Sequence, residues 1–179
     1  MTTVCVFCGS SPGNSAAFAA AAEAFGKGLS ARGAALVYGG ASVGLMGVVA
    51  DAVISAGGRA TGVITQPLAG HEIAHDTLNE LLVVHTMHER KATMSDLSDV
   101  FVMLPGGFGT YEEFMESVTW AQLGIHDKRC AILNVNGFYD QLLGFLQLAV
   151  ESGFIKRRQL DRVMVFDDVD ALLDAIVAD

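Results

Sequence analysis

The sequence predicts an α/β fold: a single-domain, Rossmann-like, doubly wound and mostly parallel sheet with helices on both faces. Three observations carry that expectation. Short runs that are apolar at nearly every position alternate with longer stretches of helical composition, and strands without a polar face belong to parallel sheets covered on both sides. Glycine-rich turns follow two of those runs directly, at the edge where such sheets bind ligands. The length of 179 residues fits one core, which at this size buries roughly 70% of the surface its unfolded chain exposes.

The elements follow in order. Residues 3–8 form the first strand and end in the turn Gly9-Ser10-Ser11-Pro12-Gly13-Asn14-Ser15. An alanine-rich helix covers 15–31. The second strand, 34–38, turns at Gly39-Gly40, and its helix over 45–56 stops at Gly57-Gly58. The third strand spans 59–64. Residues 65–80 then make one long irregular connection, and long connections in compact domains are often functional. A strand at 81–85 with a helix at 87–97, and a strand at 99–104 with a helix at 110–123, continue the alternation. Strands at 130–135 and 163–166, with helices at 139–152 and 169–178, complete it. Right-handed crossovers wind these units into one sheet, with residues 1–179 as one domain.

Composition narrows the partners. The formal net charge of −9 argues against general nucleic-acid or anionic-membrane binding, which needs a basic face. A small anion remains compatible, because backbone amides and one or two arginines hold a phosphate locally. Cys5, Cys8 and Cys130 cannot form a disulfide framework, which fits a reducing, cytoplasmic setting. Residues 1–22 carry no charge but lack the basic start of a signal peptide. Residues 33–50 are also uncharged, yet Gly39, Gly40, Gly44 and Gly47 break them into strand, turn and helix. Cys5 and Cys8 have C-x-x-C spacing inside one strand, where alternation sends them to opposite faces as core residues.

The second glycine cluster, Pro105-Gly106-Gly107-Phe108-Gly109-Thr110-Tyr111-Glu112-Glu113, is not a P-loop, since it has no Gly-Lys-Ser/Thr. It is a poor dinucleotide fingerprint as well, because Glu112 stands where the third glycine belongs. What it offers is bare backbone N–H groups at a helix start. Thr110 is expected as the N-cap, with Glu113 closing a capping box. Arg90 and Lys91 are expected to begin a helix, against its dipole, which suits a nearby anion. His71-Glu72-Ile73-Ala74-His75 matches the zinc-protease pattern H-E-x-x-H, but that pattern works on a helix, and Pro67 and Gly70 precede it here.

The glycine cluster resembles the P-G-G-x-G-T-x-x-E signature of the LONELY GUY (LOG) family, cytokinin riboside 5′-monophosphate phosphoribohydrolases. Met87-His88-Glu89-Arg90-Lys91 is similar to that family's M-H-x-R-K segment. Cys8-Gly9-Ser10-Ser11, Tyr38-Gly39-Gly40, Gly44-Leu45-Met46-Gly47 and the stretch from Thr119 to His126 extend the likeness over nearly the whole chain. The resemblance implies a catalytic pair, Arg90 and Glu113. It implies substrate contacts from Glu72, Arg90, Lys91, Gly106, Gly107, Phe108, Gly109, Thr110, Tyr111, Glu112, Glu113 and Thr119. It gives Glu72 a role other than zinc chemistry, and implies a homodimer, no metal and no cofactor. Relatives with this pattern also carry a lysine decarboxylase label, but none of the four lysines stands in a recognisable pyridoxal phosphate setting.

The activity implied is hydrolysis of the N-glycosidic bond of an adenosine 5′-monophosphate, with or without an N6 substituent. Two alternatives stay open: a non-catalytic nucleotide carrier or sensor of the same fold, and a zinc hydrolase using His71, Glu72 and His75.

Overall fold

Each apolar run becomes a strand. β1 (Thr3–Phe7), β2 (Ala35–Tyr38), β3 (Arg59–Thr65), β4 (Glu80–Val84), β5 (Val100–Met103), β6 (Arg129–Leu133) and β7 (Val163–Phe166) pair in parallel throughout. They form one sheet of order β4-β3-β2-β1-β5-β6-β7. The computed structural model describes residues 1–71 and 74–177, with the backbone alone at residues 70 and 71.

The helices are α1 (Ala16–Ala31), α2 (Gly44–Ser55), α3 (Gln66–His71), α4 (Met87–Asp96), α5 (Phe108–Leu123), α6 (Asp140–Glu151), α7 (Arg157–Leu160) and α8 (Val169–Val177). Alternation splits the strands' side chains between two cores. Val4, Val6, Leu36 and Tyr38 face Phe25 and Leu29 of α1, Val49 and Val53 of α2, and Leu172 and Ile176 of α8. Cys5, Phe7, Val37, Val63 and Phe101 face Met94 of α4 and Phe114 of α5. Cys8 lies in the first core and Cys5 in the second, as strand alternation requires, and all three cysteines are buried and unpaired.

β1 pairs with β2 on one side and β5 on the other, Val4 lying beside both Leu36 and Val100. The chain winds outward from β1 through β2, β3 and β4, then returns to β1's other edge. In doubly wound sheets ligands sit at the carboxyl ends of the strands where the winding reverses, here between β1 and β5. Several features depart from expectation. The connection after β3 contains α3, a short helix α7 precedes β7, and α5 starts at Phe108 rather than Thr110. Among the described residues no helix is long and apolar enough to cross a membrane.

Candidate active site

The start of α4 is fixed by its own sequence. Thr86 caps it, accepting the Glu89 N–H at 3.1 Å, while the Glu89 carboxylate accepts the His85 N–H at 2.8 Å. The first turn therefore carries an acid, and Arg90 comes at the fourth helical position. The expected conflict with the dipole is absent: Arg90 turns inward and is buried.

Three elements hold its guanidinium. Nε donates to the Val63 carbonyl on β3 at 2.8 Å, Nη2 to the Gly39 carbonyl just after β2 at 3.3 Å, and Nη1 to Glu113 Oε1 on α5 at 2.5 Å. Charge-assisted bonds of this kind satisfy a buried arginine. The Glu113 side chain is only 12% exposed. Burial pushes its carboxyl above the ordinary glutamate range; Arg90 pulls it back and Glu112 adds to the rise. Beside this pair, Lys91 bonds Glu112 and, at 3.1 Å, Glu116. Three cation–carboxylate links thus tie α4 to α5.

The glycine loop lies next to these groups. Gly107, in extended backbone, precedes α5, and the first intrahelical bond runs from Tyr111 N–H to the Gly107 carbonyl at 3.1 Å. The amides of Phe108, Gly109 and Thr110 precede that bond and emerge from the helix end, an anion site reinforced by the macrodipole. Thr110 is therefore not the N-cap, and Glu113 closes no capping box; it is engaged by Arg90 instead. Thr110 is buried against Gly106, where an added Cβ would lie 2.1 Å from its hydroxyl oxygen. The protein's own packing thus demands glycine at 106. It does not at Gly107 and Gly109, where a Cβ would meet nothing within 4 Å. Glycine inside a helix costs about 0.5–1 kcal/mol relative to alanine, and Gly109 leaves the backbone of the first turn bare.

A cavity of about 210 Å³ opens at the β1/β5 switch, between the 9–13 loop, Phe18, Leu45, Phe138 and the Pro105–Gly107 turn. The Gly9 N–H bonds the Pro105 carbonyl at 3.0 Å and joins the two loops.

The structure gathers Arg90, Lys91, Glu112, Glu113 and residues 106–110 around the carboxyl ends of β2, β3 and β5. Two expected contacts stand apart. Tyr111 turns its ring edge-on to Tyr139, centroids 6.0 Å apart. Thr119 is exposed and bonds only the Met115 carbonyl at 2.7 Å. Glu72 lies outside the described residues, as does part of the H-E-x-x-H segment. Within it, His75 is buried with Nε2 3.2 Å from Asp51 Oδ1 and Nδ1 3.2 Å from Thr77 Oγ1. Among the described residues no three His, Cys, Asp or Glu side chains are grouped to hold a metal. Sequence reasoning missed Phe18, Phe138 and Tyr139. The usable signal was the position of Phe138-Tyr139 shortly after a strand's carboxyl end.

A family model described as "Possible lysine decarboxylase" matches residues 46–176. Cytokinin riboside 5′-monophosphate phosphoribohydrolase LOG1 of Arabidopsis thaliana is 51% identical over 152 residues, 85% of this chain and 71% of that protein. The cytokinin riboside 5′-monophosphate phosphoribohydrolase of Rhodococcoides fascians is 45% identical over 175 residues, 97% of this chain and 88% of that protein. The chain belongs to the LOG family. Its fold recurs beyond close LOG relatives. A molybdenum cofactor binding protein from Rippkaea orientalis superposes with a TM-score of 0.74, covering 98% of this chain and 94% of that one at 19% identity.

Proposed function

We propose that the chain is a phosphoribohydrolase that hydrolyses the N-glycosidic bond of adenosine 5′-monophosphates, N6-modified ones included, to free base and ribose 5-phosphate. One observation carries the reading: a buried arginine–carboxylate pair stands beside a helix end whose amides and two sterically idle glycines await an anion. The names of relatives near half identity support it.

The 5′-phosphate takes the amides of residues 107–110 and the helix dipole. This places the ribose over Glu113, whose carboxylate stabilises the oxocarbenium-like transition state at C1′ or orients the attacking water, as carboxylates do in glycoside cleavage. Glu112, held by Lys91, reaches the ribose hydroxyls. Arg90 stays charged and is not a proton donor; it stabilises the charge that develops on the departing base. Water supplies hydroxyl to C1′ and its proton ends on the base. Gly106, Phe108 and Glu72 complete the substrate-binding set this reading assigns; Tyr111 and Thr119, engaged by Tyr139 and by the Met115 carbonyl, are left out of it.

A homodimer belongs to the same reading. Phe108 is 93% exposed on α5, and Leu123 and Ile125 at its far end are 67% and 64% exposed, apolar surface that a second copy would cover. A cytoplasmic location suits three unpaired thiols.

The test incubates the protein with AMP and N6-isopentenyl-AMP, each beside its nucleoside, and identifies the products. Base and ribose 5-phosphate are expected from the monophosphates, with little from the nucleosides, because phosphate binding energy lowers the barrier. Binding without release would make the chain a carrier or sensor.

A further inference from the structure

The corner after β6 approaches the glycine loop from behind. Asn134 closes it with its side chain: Oδ1 accepts the Tyr139 N–H at 2.7 Å and Nδ2 donates to Asp140 Oδ1 at 2.8 Å. Asn136, at φ 51°, supplies the left-handed step that turns the chain back. The corner delivers Tyr139, 1% exposed, beneath the loop. Its ring is wedged edge-on by Phe138 and Tyr111, with centroids at 4.8 and 6.0 Å. Its hydroxyl donates to the Leu104 carbonyl at 2.7 Å.

That carbonyl begins the turn into the cradle. The Leu104 N–H still bonds β1, at the Phe7 carbonyl, 3.0 Å away. Pro105 has no N–H and a fixed φ, and its carbonyl accepts from Gly9 at 3.0 Å. Each of the two peptide planes leading into Gly106 is therefore held through one carbonyl, the first by Tyr139 and the second by Gly9. Packing alone would be served by phenylalanine; the buried phenol oxygen has Leu104 as its partner.

We propose that Tyr139 is a positioning residue for the anion cradle, its hydroxyl fixing the Leu104 carbonyl so that the amides of residues 107–110 aim at the substrate's phosphate. The proposal rests on the phosphate reading of that loop. It adds a residue that touches no substrate and governs phosphate affinity.

The test compares wild type with Tyr139→Phe, which removes one atom and keeps the ring. Binding of inorganic phosphate, ribose 5-phosphate and adenine is measured by calorimetry, KM and kcat for AMP by steady-state kinetics, and Tm by scanning. Affinity for both phosphate ligands should fall about tenfold and KM for AMP should rise alike. Adenine affinity and kcat at saturation should stay within about twofold. Phe25→Leu, in the core under α1, serves as a variant destabilised far from the loop. Phosphate affinity unchanged in Tyr139→Phe, or lowered equally in Phe25→Leu, would overturn the proposal while leaving the phosphate reading intact. A wild type that binds neither phosphate ligand would sink both.

Discussion

Glu113 is pulled two ways, by burial that favours its protonated form and by Arg90 that favours its charge, and burial prevails. Two consequences follow for pH. A carboxyl raised in the folded state holds its proton more readily there than in the unfolded chain. Its contribution to stability is present below the unfolded value and is lost as pH rises through the folded one. Activity runs the opposite way, since the chemistry needs the carboxylate. The acid limb of kcat/KM should therefore lie above the ordinary glutamate value of about 4.3. It should move to lower pH in Glu112→Gln, which removes a neighbouring negative charge. A limb unmoved by that change would detach it from Glu113. Glu113→Gln keeps an acceptor for Arg90 and should stay folded, yet lose turnover by about 2.7–4 kcal/mol, the size of a lost transition-state electrostatic contact. Retention of more than about a tenth of the rate, worth roughly 1.4 kcal/mol, would refute its assignment. Arg90→Lys keeps the charge but cannot reach Val63, Gly39 and Glu113 from one planar fork. Its kcat should fall as well as its KM rise; a rise in KM alone would leave Arg90 merely an anchor for the anion.

The first turn of α5 shows an element whose stability and use conflict. Gly109 is helical and has open space at the Cβ position. Gly109→Ala is expected to stabilise the fold by about 0.5–1 kcal/mol while weakening nucleotide binding, visible as a higher Tm with a higher KM. If both fall together, glycine there serves folding and not the ligand. This turn also marks where sequence reading stopped. Two glycines among Gly107-Phe108-Gly109 are poor helix formers, so the helix was expected to wait for Thr110, a good cap. Burial of Thr110 against Gly106 brings the start forward. Pro67 and Gly70 hid α3 in the same way. The seven strands were legible because most are apolar at nearly every position; β3, with Arg59, Thr61 and Thr65, is the weakest case. Arg90 stands out by its place at a helix start, while its pairing with Glu113 as a catalytic couple comes from the family likeness. Their mutual bond, and those of Arg90 to Gly39 and Val63, join positions distant in the chain. No local pattern encodes such contacts, and the Tyr139–Leu104 bond was invisible for the same reason.

At the scale of the whole molecule, the candidate site exists only where several strand ends converge. Ligand capture there should stiffen all of them, so AMP analogues and ribose 5-phosphate should raise Tm with concentration, as any ligand selective for the native state does. Turnover is expected to survive prolonged chelation; a one-to-one zinc content lost together with activity would instead promote the His71-Glu72-x-x-His75 reading. The place of β1 between β2 and β5 has a consequence for how the chain is made. The ribosome releases β1 through β4 first, and β1's inner edge, bearing Val4, Cys5 and Val6, has no neighbour until Val100–Met103 emerge. Over that interval the nascent chain displays the bare edge of what becomes its central strand, the surface on which chains mispair. A message truncated between α4 and β5 would encode Arg90 without Glu113 and an adhesive half-sheet. Such a product is work for a chaperone or a protease, with no catalytic remnant to preserve.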